Sequence, residues 1–187
     1  MVKRVIIAAS LLLFLAPLAF SIELLSEEQA VKRMFLTADN VKQEKKTLTA
    51  PQIEELKKKL AGKLYEIKKP DGQSENEFTF HIGSKGGAVT GVAVILSEID
   101  RWGPLKFIIV VDPATGKVEN MAMLEYIDQR ARNLSNRNYL KNFFGKGLAD
   151  PIQIGKDVDG LSGATVSSEV LAHMVRKAIA LVVGHAK

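Results

Sequence analysis

The sequence predicts an α+β protein in which helices pack on a twisted antiparallel sheet. Between residues 76 and 126, short segments rich in β-branched and aromatic residues alternate with tight turns. Apolar residues recur at helical spacing on both sides of this region, within residues 26–64 and 168–183. Because consecutive strands joined by short turns pair antiparallel, we expect an antiparallel sheet with helices against it.

The first 21 residues have the pattern of a secretory signal peptide. Lys3 and Arg4 precede an unbroken apolar run over residues 5–20, and the small residues around Ser21 predict cleavage after it. The run is short for a membrane span, which needs about 20 residues. An uncleaved leader that holds the protein at the membrane is the alternative. In both cases we expect a periplasmic or otherwise extracytoplasmic location.

Composition excludes several classes of protein. The chain has no cysteine, so disulfides, thiolate-bound zinc, iron–sulfur clusters and a lipoprotein anchor are excluded, and any redox role needs an organic cofactor. The net charge of +5 falls by two, to +3, when Lys3 and Arg4 leave with the leader. The lysines of residues 42–69 are mixed with glutamates, which is typical of a solvated helical face. We therefore expect no nucleic-acid partner.

Residues 22–75 are predicted to form a helical N-terminal extension. The first helix begins at Ser26, which has capping-box spacing to Gln29. Residues 42–46 are polar and are interpreted as a connection. The second helix opens at residues 49–51, with proline in its first turn. Its apolar stripe consists of Ile53, Leu56, Leu60 and Leu64. The stripe favours a helix that covers one side of the sheet, and a docking helix for a partner is the alternative.

A turn signal at residues 70–72 separates this extension from a second unit, residues 76–187. Strands are predicted at residues 78–82, 88–96, 105–111 and 118–126. The Gly86-Gly87 pair is typical of a hairpin turn between the first two. The last helix is predicted at residues 168–183, where apolar residues recur at i, i+4 and i+8 and would pack on the sheet.

Residues 159–168 (Asp-Gly-Leu-Ser-Gly-Ala-Thr-Val-Ser-Ser) are too small and polar to fill a core. Gly163 and Ala164 leave space beside the Thr165 hydroxyl. Residues 167–169 are interpreted as the start of the last helix, where free backbone N–H groups favour an anion. The stretch therefore predicts an esterifiable or nucleophilic hydroxyl next to a phosphate site. The alternative is a glycine-containing turn before a helix with a serine N-cap.

Residues 159–165 resemble the flavinylation motif of the FMN-binding domain family. This family includes peripheral subunits of sodium-translocating quinone reductase and of a related ferredoxin-linked membrane complex, and also stand-alone exported bacterial proteins. Its pattern, Asp-Gly-x-Ser/Thr-Gly-Ala-Thr/Ser, is met at every fixed position. The resemblance implies an FMN-binding domain fold and FMN joined through its phosphate to Thr165. It also implies a flavin transferase that uses FAD and magnesium and releases AMP.

The resemblance extends over about residues 76–187. Residues 126–130 stand where the family has an acidic residue followed by a small or basic tract and a glycine. Here Asp128 replaces the usual glutamate, and Ala131 stands at the place of the glycine. Residues 139–146 match an aromatic-rich helix end followed by Gly-Lys. Besides Thr165, the cofactor-binding residues that the resemblance implies are Asp159, Gly160, Leu161, Ser162, Gly163, Ala164, Val166, Ser167, Tyr126, Asp128, Gln129, Arg130 and Lys146.

Some of these residues have an ordinary structural interpretation as well. Asp159 either shapes the turn by an Asx contact or, as the resemblance implies, helps the transferase to recognise its substrate and orient the metal. Lys146 either holds the phosphate or is a solvated surface charge. Ser162 lies in Leu-Ser-Gly, which does not match the Gly-x-Ser-x-Gly pattern of a hydrolase nucleophile.

The resemblance implies an exported electron carrier that exchanges electrons with redox partner proteins at the outer face of the membrane. Such a protein is a carrier more than an enzyme. Two alternatives stay open. One is a non-redox binding or assembly module with the same fold, and the other is a soluble flavin reductase.

Overall fold

The computed structural model describes residues 21–60, 76–101 and 103–185. The apolar run of the predicted leader, Leu64 of the second helix and the predicted turn at residues 70–72 lie outside these ranges. Among the described helices, none combines the length and the hydropathy that crossing a membrane requires.

Within the described ranges, the strands form one open antiparallel sheet in the order β1-β6-β5-β4-β3-β2. They are β1 (Ile22–Glu23), β2 (Asn40–Thr47), β3 (Glu77–Lys85), β4 (Ala88–Ile99), β5 (Pro104–Asp112) and β6 (Lys117–Tyr126). Strands β3 to β6 pair in chain order, each with the next. The predicted α+β class and the antiparallel sheet are confirmed.

The interpretation of residues 42–46 as a connection is wrong, because they form the middle of β2. This strand pairs with β3 along its whole length, from Asn40 opposite Ser84 to Thr47 opposite Glu77. It is an edge strand in which half-buried and exposed residues mostly alternate. Charged residues, lysine above all, are common on edge strands because they oppose pairing with other chains. The polar composition therefore reflects the position of the strand in the sheet.

The described helices are α1 (Glu27–Met34), α2 (Ala50–Lys59), α3 (Arg137–Leu140) and α4 (Thr165–His185), with 3-10 helices at Gln129–Ser135 and Lys141–Phe143. The predicted capping box of α1 is confirmed. The Ser26 hydroxyl accepts from the Gln29 N–H and the Gln29 side chain accepts from the Ser26 N–H, both at 3.2 Å. At the start of α2, the Gln52 side chain accepts from the Thr49 N–H at 2.9 Å.

Each face of the sheet carries its own apolar cluster. The larger cluster joins the sheet to α2 and α4, and Phe80, Phe107, Leu171 and Val175 belong to it. The smaller cluster, on the face that α1 covers, is Ala30, Phe35, Ala93, Ile108, Val110 and Leu124. Leu56 of α2 and Leu60, the residue that follows α2, are buried in the larger cluster. The interpretation of α2 as a covering helix is confirmed for its described residues.

Candidate functional site

A tight turn over residues 161–164 directly precedes α4. The Ala164 N–H donates to the Leu161 carbonyl at 3.0 Å, and Gly163, the third residue of the turn, has φ = 78°. This left-handed conformation is the one that a type II turn requires at its third residue, and it favours glycine. Apart from the residue's own backbone and its two chain neighbours, a Cβ at Gly163 would meet no atom within 4 Å. Glycine is therefore needed here for its backbone conformation, whereas the sequence had suggested a need for space.

The helix begins at Thr165, so the predicted start near residue 168 and the interpretation of a serine N-cap are both wrong. Ser167 and Ser168 lie in its first turn, and both hydroxyls are used by the fold. The Ser168 hydroxyl donates to the Ala164 carbonyl at 2.9 Å and accepts from the Leu161 N–H at 3.3 Å. The Ser167 hydroxyl donates to Asp100 Oδ2 at 2.7 Å. Neither serine hydroxyl is thus left to donate to a phosphate.

The first turn of α4 instead offers backbone donors. The N–H groups of Thr165, Val166 and Ser167 have no acceptor among the described residues. The first N–H groups of any helix lack intrahelical partners, and the preceding Ala164 has no side-chain oxygen that could cap them. These donors and the helix dipole favour an anion at this position. The α4 N-terminus therefore fits a phosphate group.

The exposed Thr165 lines a cleft of about 210 Å³. Its walls come from residues 163–167, from Arg101 in the turn between β4 and β5, and from Asp128 and Arg130 after β6. Pockets that enclose drug-sized ligands measure about 300 Å³ or more. The cleft therefore matches a phosphate and the chain beside it better than a complete tricyclic ring.

Asp128 shapes the wall that follows β6. Its Oδ1 accepts from the Arg130 backbone N–H at 3.0 Å and caps the 3-10 helix Gln129–Ser135. Arg130 Nε lies 4.0 Å from the same oxygen. Ala131, which replaces the glycine of the family pattern, is buried and donates its N–H to the Asp128 carbonyl at 2.8 Å. The departure from the pattern therefore falls in a 3-10 turn that accommodates alanine.

Asp100 fixes the β4–β5 turn against the start of α4. Besides the Ser167 hydroxyl at Oδ2, its Oδ1 accepts from the Gly103 N–H at 3.2 Å, and its own N–H donates to the Gly103 carbonyl at 2.9 Å. The carboxylate is buried. This contact brings Arg101, the next residue, to the cleft that Thr165 lines.

Asp100 and Arg101 were not predicted from the sequence as residues of the site. A signal was nevertheless present in β4, where alternate residues share one face of the sheet. Glu98 and Asp100 are in phase with the buried Val92, Val94 and Leu96. Two carboxylates at inward positions predict polar partners on the helix that covers this face.

The other predicted residues lie around the cleft or outside it. Gly160 packs so closely that a Cβ there would lie 2.8 Å from Ile154 Cγ2. Leu161 packs against the core, and Asp159 and Ser162 are exposed. Tyr126 is buried in the larger apolar cluster and does not line the cleft. Gln129 is exposed on the 3-10 helix and likewise does not line it.

Lys146 stabilises a different loop. Its ammonium donates to Asp157 Oδ2 at 3.0 Å. The same carboxylate accepts from the N–H groups of Ile152 and Gln153, at 3.1 and 2.8 Å. Burial favours a higher pKa for Asp157, but these hydrogen bonds and the Lys146 charge outweigh it and lower the pKa. Lys146 is thus placed to hold the loop before the motif and does not line the cleft.

Comparison with known proteins identifies the region that contains this site. Residues 100–180 match the family model of the FMN-binding domain. Every residue that lines the Thr165 cleft lies within the match. No curated protein matches the chain.

Proposed function

We propose that this protein, whose residues 100–180 match the family model of the FMN-binding domain, is an exported electron carrier with FMN linked covalently, through its phosphate, to Thr165. The observation that carries the proposal is the position of Thr165. Thr165 is exposed and is the first residue of α4. The backbone N–H groups beside it have no acceptor among the described residues.

The site is suited to modification by a second protein. The exposure of Thr165 gives a flavin transferase access to the hydroxyl. The hydroxyl oxygen would bond to the phosphorus of the FMN half of FAD, AMP would leave with the electron pair of the broken P–O bond, and the hydroxyl proton would be released. The resulting phosphodiester keeps one negative charge, which the helix N–H groups and the cleft arginines would stabilise.

Attached FMN would supply one-electron and two-electron redox chemistry, while the protein holds it in place. A covalent bond suits a protein outside the cytoplasm, where a lost flavin cannot be replaced. The signal-peptide pattern predicted for residues 1–21 supports export. The partners we expect are the flavin transferase during maturation and redox proteins at the outer face of the membrane.

The experiment is intact-mass measurement on protein that is exported from a host with a flavin transferase. We expect the leader to be removed and the mass to exceed that of the bare polypeptide by FMN less one water. Thr165→Ser, which the family pattern allows, should keep this addition, and Thr165→Ala should lose it. Thr37→Ala is the matched control, because it removes an exposed threonine hydroxyl outside the motif.

Two outcomes would contradict the proposal. One is wild-type exported protein with the mass of its bare polypeptide, which would leave a binding or assembly module. The other is a Thr165→Ala variant that still carries covalent flavin. Rapid turnover of the flavinylated protein with a nicotinamide donor and no protein partner would instead identify a soluble flavin reductase.

A further inference from the structure

We propose that Arg132, Arg137 and Lys141 form a basic face that docks an acidic protein partner beside the Thr165 cleft. This inference rests on the proposed function for the role of the partner, which would be a protein that exchanges electrons with the attached flavin. The docking itself depends only on the folded chain, so it can be measured without flavin.

The segment that carries the basic face contains cations and no carboxylate. Residues 129–144 include three arginines and one lysine, but no aspartate and no glutamate. Four lysines of β2 and α2 differ in this respect, because each pairs with a glutamate at 2.9–3.8 Å; they are Lys42, Lys45, Lys57 and Lys59. Positive charge is therefore less diluted by carboxylates in this segment than on β2 and α2.

The fold turns the three cations of the basic face outward. All three are exposed. The apolar residues of the segment anchor it from below, and those that are buried are Ala131, Leu134, Tyr139, Leu140 and Phe143. Arg137 and Lys141 are one helical turn apart, since the Lys141 N–H donates to the Arg137 carbonyl, so their side chains share one side of α3.

Neutral groups hold the basic face, so its charge is kept. The Arg137 guanidinium donates to the Asn120 side chain and lies 4.7 Å from the centre of the Phe144 ring. The Lys141 ammonium donates to the Asn138 side chain at 3.4 Å. Within the described ranges, no cation of the basic face forms an ion pair with a carboxylate.

The other ionic residues at the cleft balance one another. Arg130 Nε lies 4.0 Å from Asp128 Oδ1. Arg101 is adjacent in sequence to Asp100, whose carboxylate is bound at the start of α4. Each of these two pairs has a net charge of zero, so neither adds to the basic face nor cancels it.

One further carboxylate lies close enough to act on the segment. Burial raises the pKa of Tyr139, and the charge of the exposed Asp159 adds to this rise. The basic face and Asp159 together sum to +2. A phosphodiester at Thr165 carries one negative charge and would leave the sum positive. An acidic partner would therefore be attracted both before and after the flavin is attached.

The basic face begins at the edge of the cleft. Arg130 lines the cleft and precedes Arg132 by two residues on the same 3-10 helix. A protein bound to this face would therefore lie next to the flavin at Thr165. Complementary charge also raises the rate of encounter, which suits a carrier that must meet its partners repeatedly.

The exposed side chains favour a protein over a membrane as the occupant. Surfaces that bind membranes combine cations with large apolar side chains that enter the lipid. The exposed large apolar residues of the described ranges all lie outside residues 129–144; they are Leu24, Leu36, Val89, Leu148 and Val166. Between the cations, the exposed positions of the segment are mainly asparagines. Polar side chains of this kind are typical of the rim of a protein interface.

The experiment has two measurements on the full exported chain. The first titrates unmodified protein with poly-L-glutamate, the acidic probe, and follows the amide resonances of residues 130–141. The second follows oxidation of the reduced, flavinylated protein by ferricyanide, an anion, or by hexaammineruthenium(III), a cation. Each metal complex accepts one electron, so two are reduced for each fully reduced flavin, and the flavin releases its redox protons to water.

The test variant carries Arg132→Gln, Arg137→Gln and Lys141→Gln. A second variant carries only Arg132→Gln and Lys141→Gln, so it keeps the Arg137 contact with Asn120 and remains informative if the triple variant is unstable.

The matched control carries Lys32→Gln, Arg33→Gln and Lys58→Gln. These changes remove the same charge from exposed positions on α1 and α2. Any effect of net charge alone would therefore be the same in the control and in the triple test variant.

We expect the triple variant to bind poly-L-glutamate about 10-fold more weakly at low salt and to react with ferricyanide more slowly by a similar factor, because the steering charges are gone. Its reaction with hexaammineruthenium(III) should be faster than that of the wild type. The double variant should change in the same directions by smaller factors, and the control should stay close to the wild type. All differences should shrink at high salt, where exposed charges are screened.

Two results would overturn the inference. One is an equal change in the test variant and the control, which would show that only net charge matters. The other is a wild type that binds phosphatidylglycerol vesicles through residues 130–141 but shows no amide shifts with poly-L-glutamate, which would make the face a membrane contact. If the wild type is not flavinylated in a capable host, the proposed function fails, and the poly-L-glutamate titration still decides whether the basic face binds an acidic chain.

Discussion

The Lys177 ammonium lies 2.7 Å from Glu98 Oε1 between α4 and β4, where the two side chains are only 9% and 5% exposed. The same ammonium lies 5.6 Å from the centre of the Phe78 ring. Glu98 of β4 precedes Asp100 of the β4–β5 turn by two residues, so two carboxylates at the end of this strand bind two side chains of α4. These contacts set the position of α4 along the sheet, and thereby that of Thr165.

We expect Lys177→Met to lower the free energy of unfolding by about 3–5 kcal/mol, because it leaves the Glu98 charge buried without its partner. The measurement is chemical denaturation. The double variant Glu98→Leu with Lys177→Met should recover much of the loss, since no unpaired charge remains. The exposed pair of Lys57 and Glu54 gives the control, and Lys57→Met should cost less than about 1 kcal/mol. A Lys177→Met loss as small as that of Lys57→Met would contradict the prediction.

Gly163→Ala should destabilise the protein by about 1–2 kcal/mol, because alanine at φ = 78° places Cβ too close to the backbone. The control is Gly184→Ala, which changes a glycine within α4 where a Cβ meets no atom within 4 Å. That substitution should be neutral or stabilising, since alanine favours helix. Thermal unfolding of both variants tests this, and equal midpoints would show that the turn does not depend on glycine.

The Asp157 carboxylate should make stability depend on pH at the acid end of the range. Its pKa is lowered in the folded protein, so the contribution is complete above the unfolded value near 3.8 and is lost as the pH falls through the folded pKa. Asp157→Asn should therefore be less stable than the wild type at neutral pH, and the difference should shrink below pH 3.8. Denaturant midpoints across this range test the prediction. A difference that stays constant with pH would contradict it.

Gly83→Ala should destabilise the contact between α1 and the sheet by about 1–3 kcal/mol, as is typical of overpacking. A Cβ at this position would overlap the Phe35 ring at Cδ1. The effect should be smaller when Phe35 is replaced by leucine, because the two changes share one contact. A double-mutant cycle measured by denaturation gives this coupling, and additive effects would show that the Phe35 ring moves aside at no cost.

Features with a local signal could be predicted from the sequence. The capping box at Ser26 and the Gly86-Gly87 hairpin each lie within a few residues, and both occur in the structure. The polar edge strand β2 could not be predicted from hydropathy, because its pairing with β3 is a property of the sheet. The start of α4 was misplaced because serines are common caps, whereas here a glycine turn ends at Ala164.

Only the part of the candidate site that has a local sequence signal could be predicted. The motif around Thr165 is contiguous, and its resemblance to a family identified it. Asp100 and Arg101 join it across a separation of 67 residues between Asp100 and Ser167. Contacts of this kind depend on how β4 and α4 cross, and residue spacing does not encode that.

The pairing of β2 with β3 has a consequence for any shortened version of the protein. A fragment that begins at residue 76 would lack β2, and the hydrogen-bonding edge of β3 would be open along Glu77–Lys85. Phe78 and Phe80 lie on this strand, whereas β2 carries lysines. In such a fragment the open edge of β3 would pair with strands of other copies, and the fragment would self-associate. By covering the edge of β3, the residues of β2 thus protect the protein from aggregation.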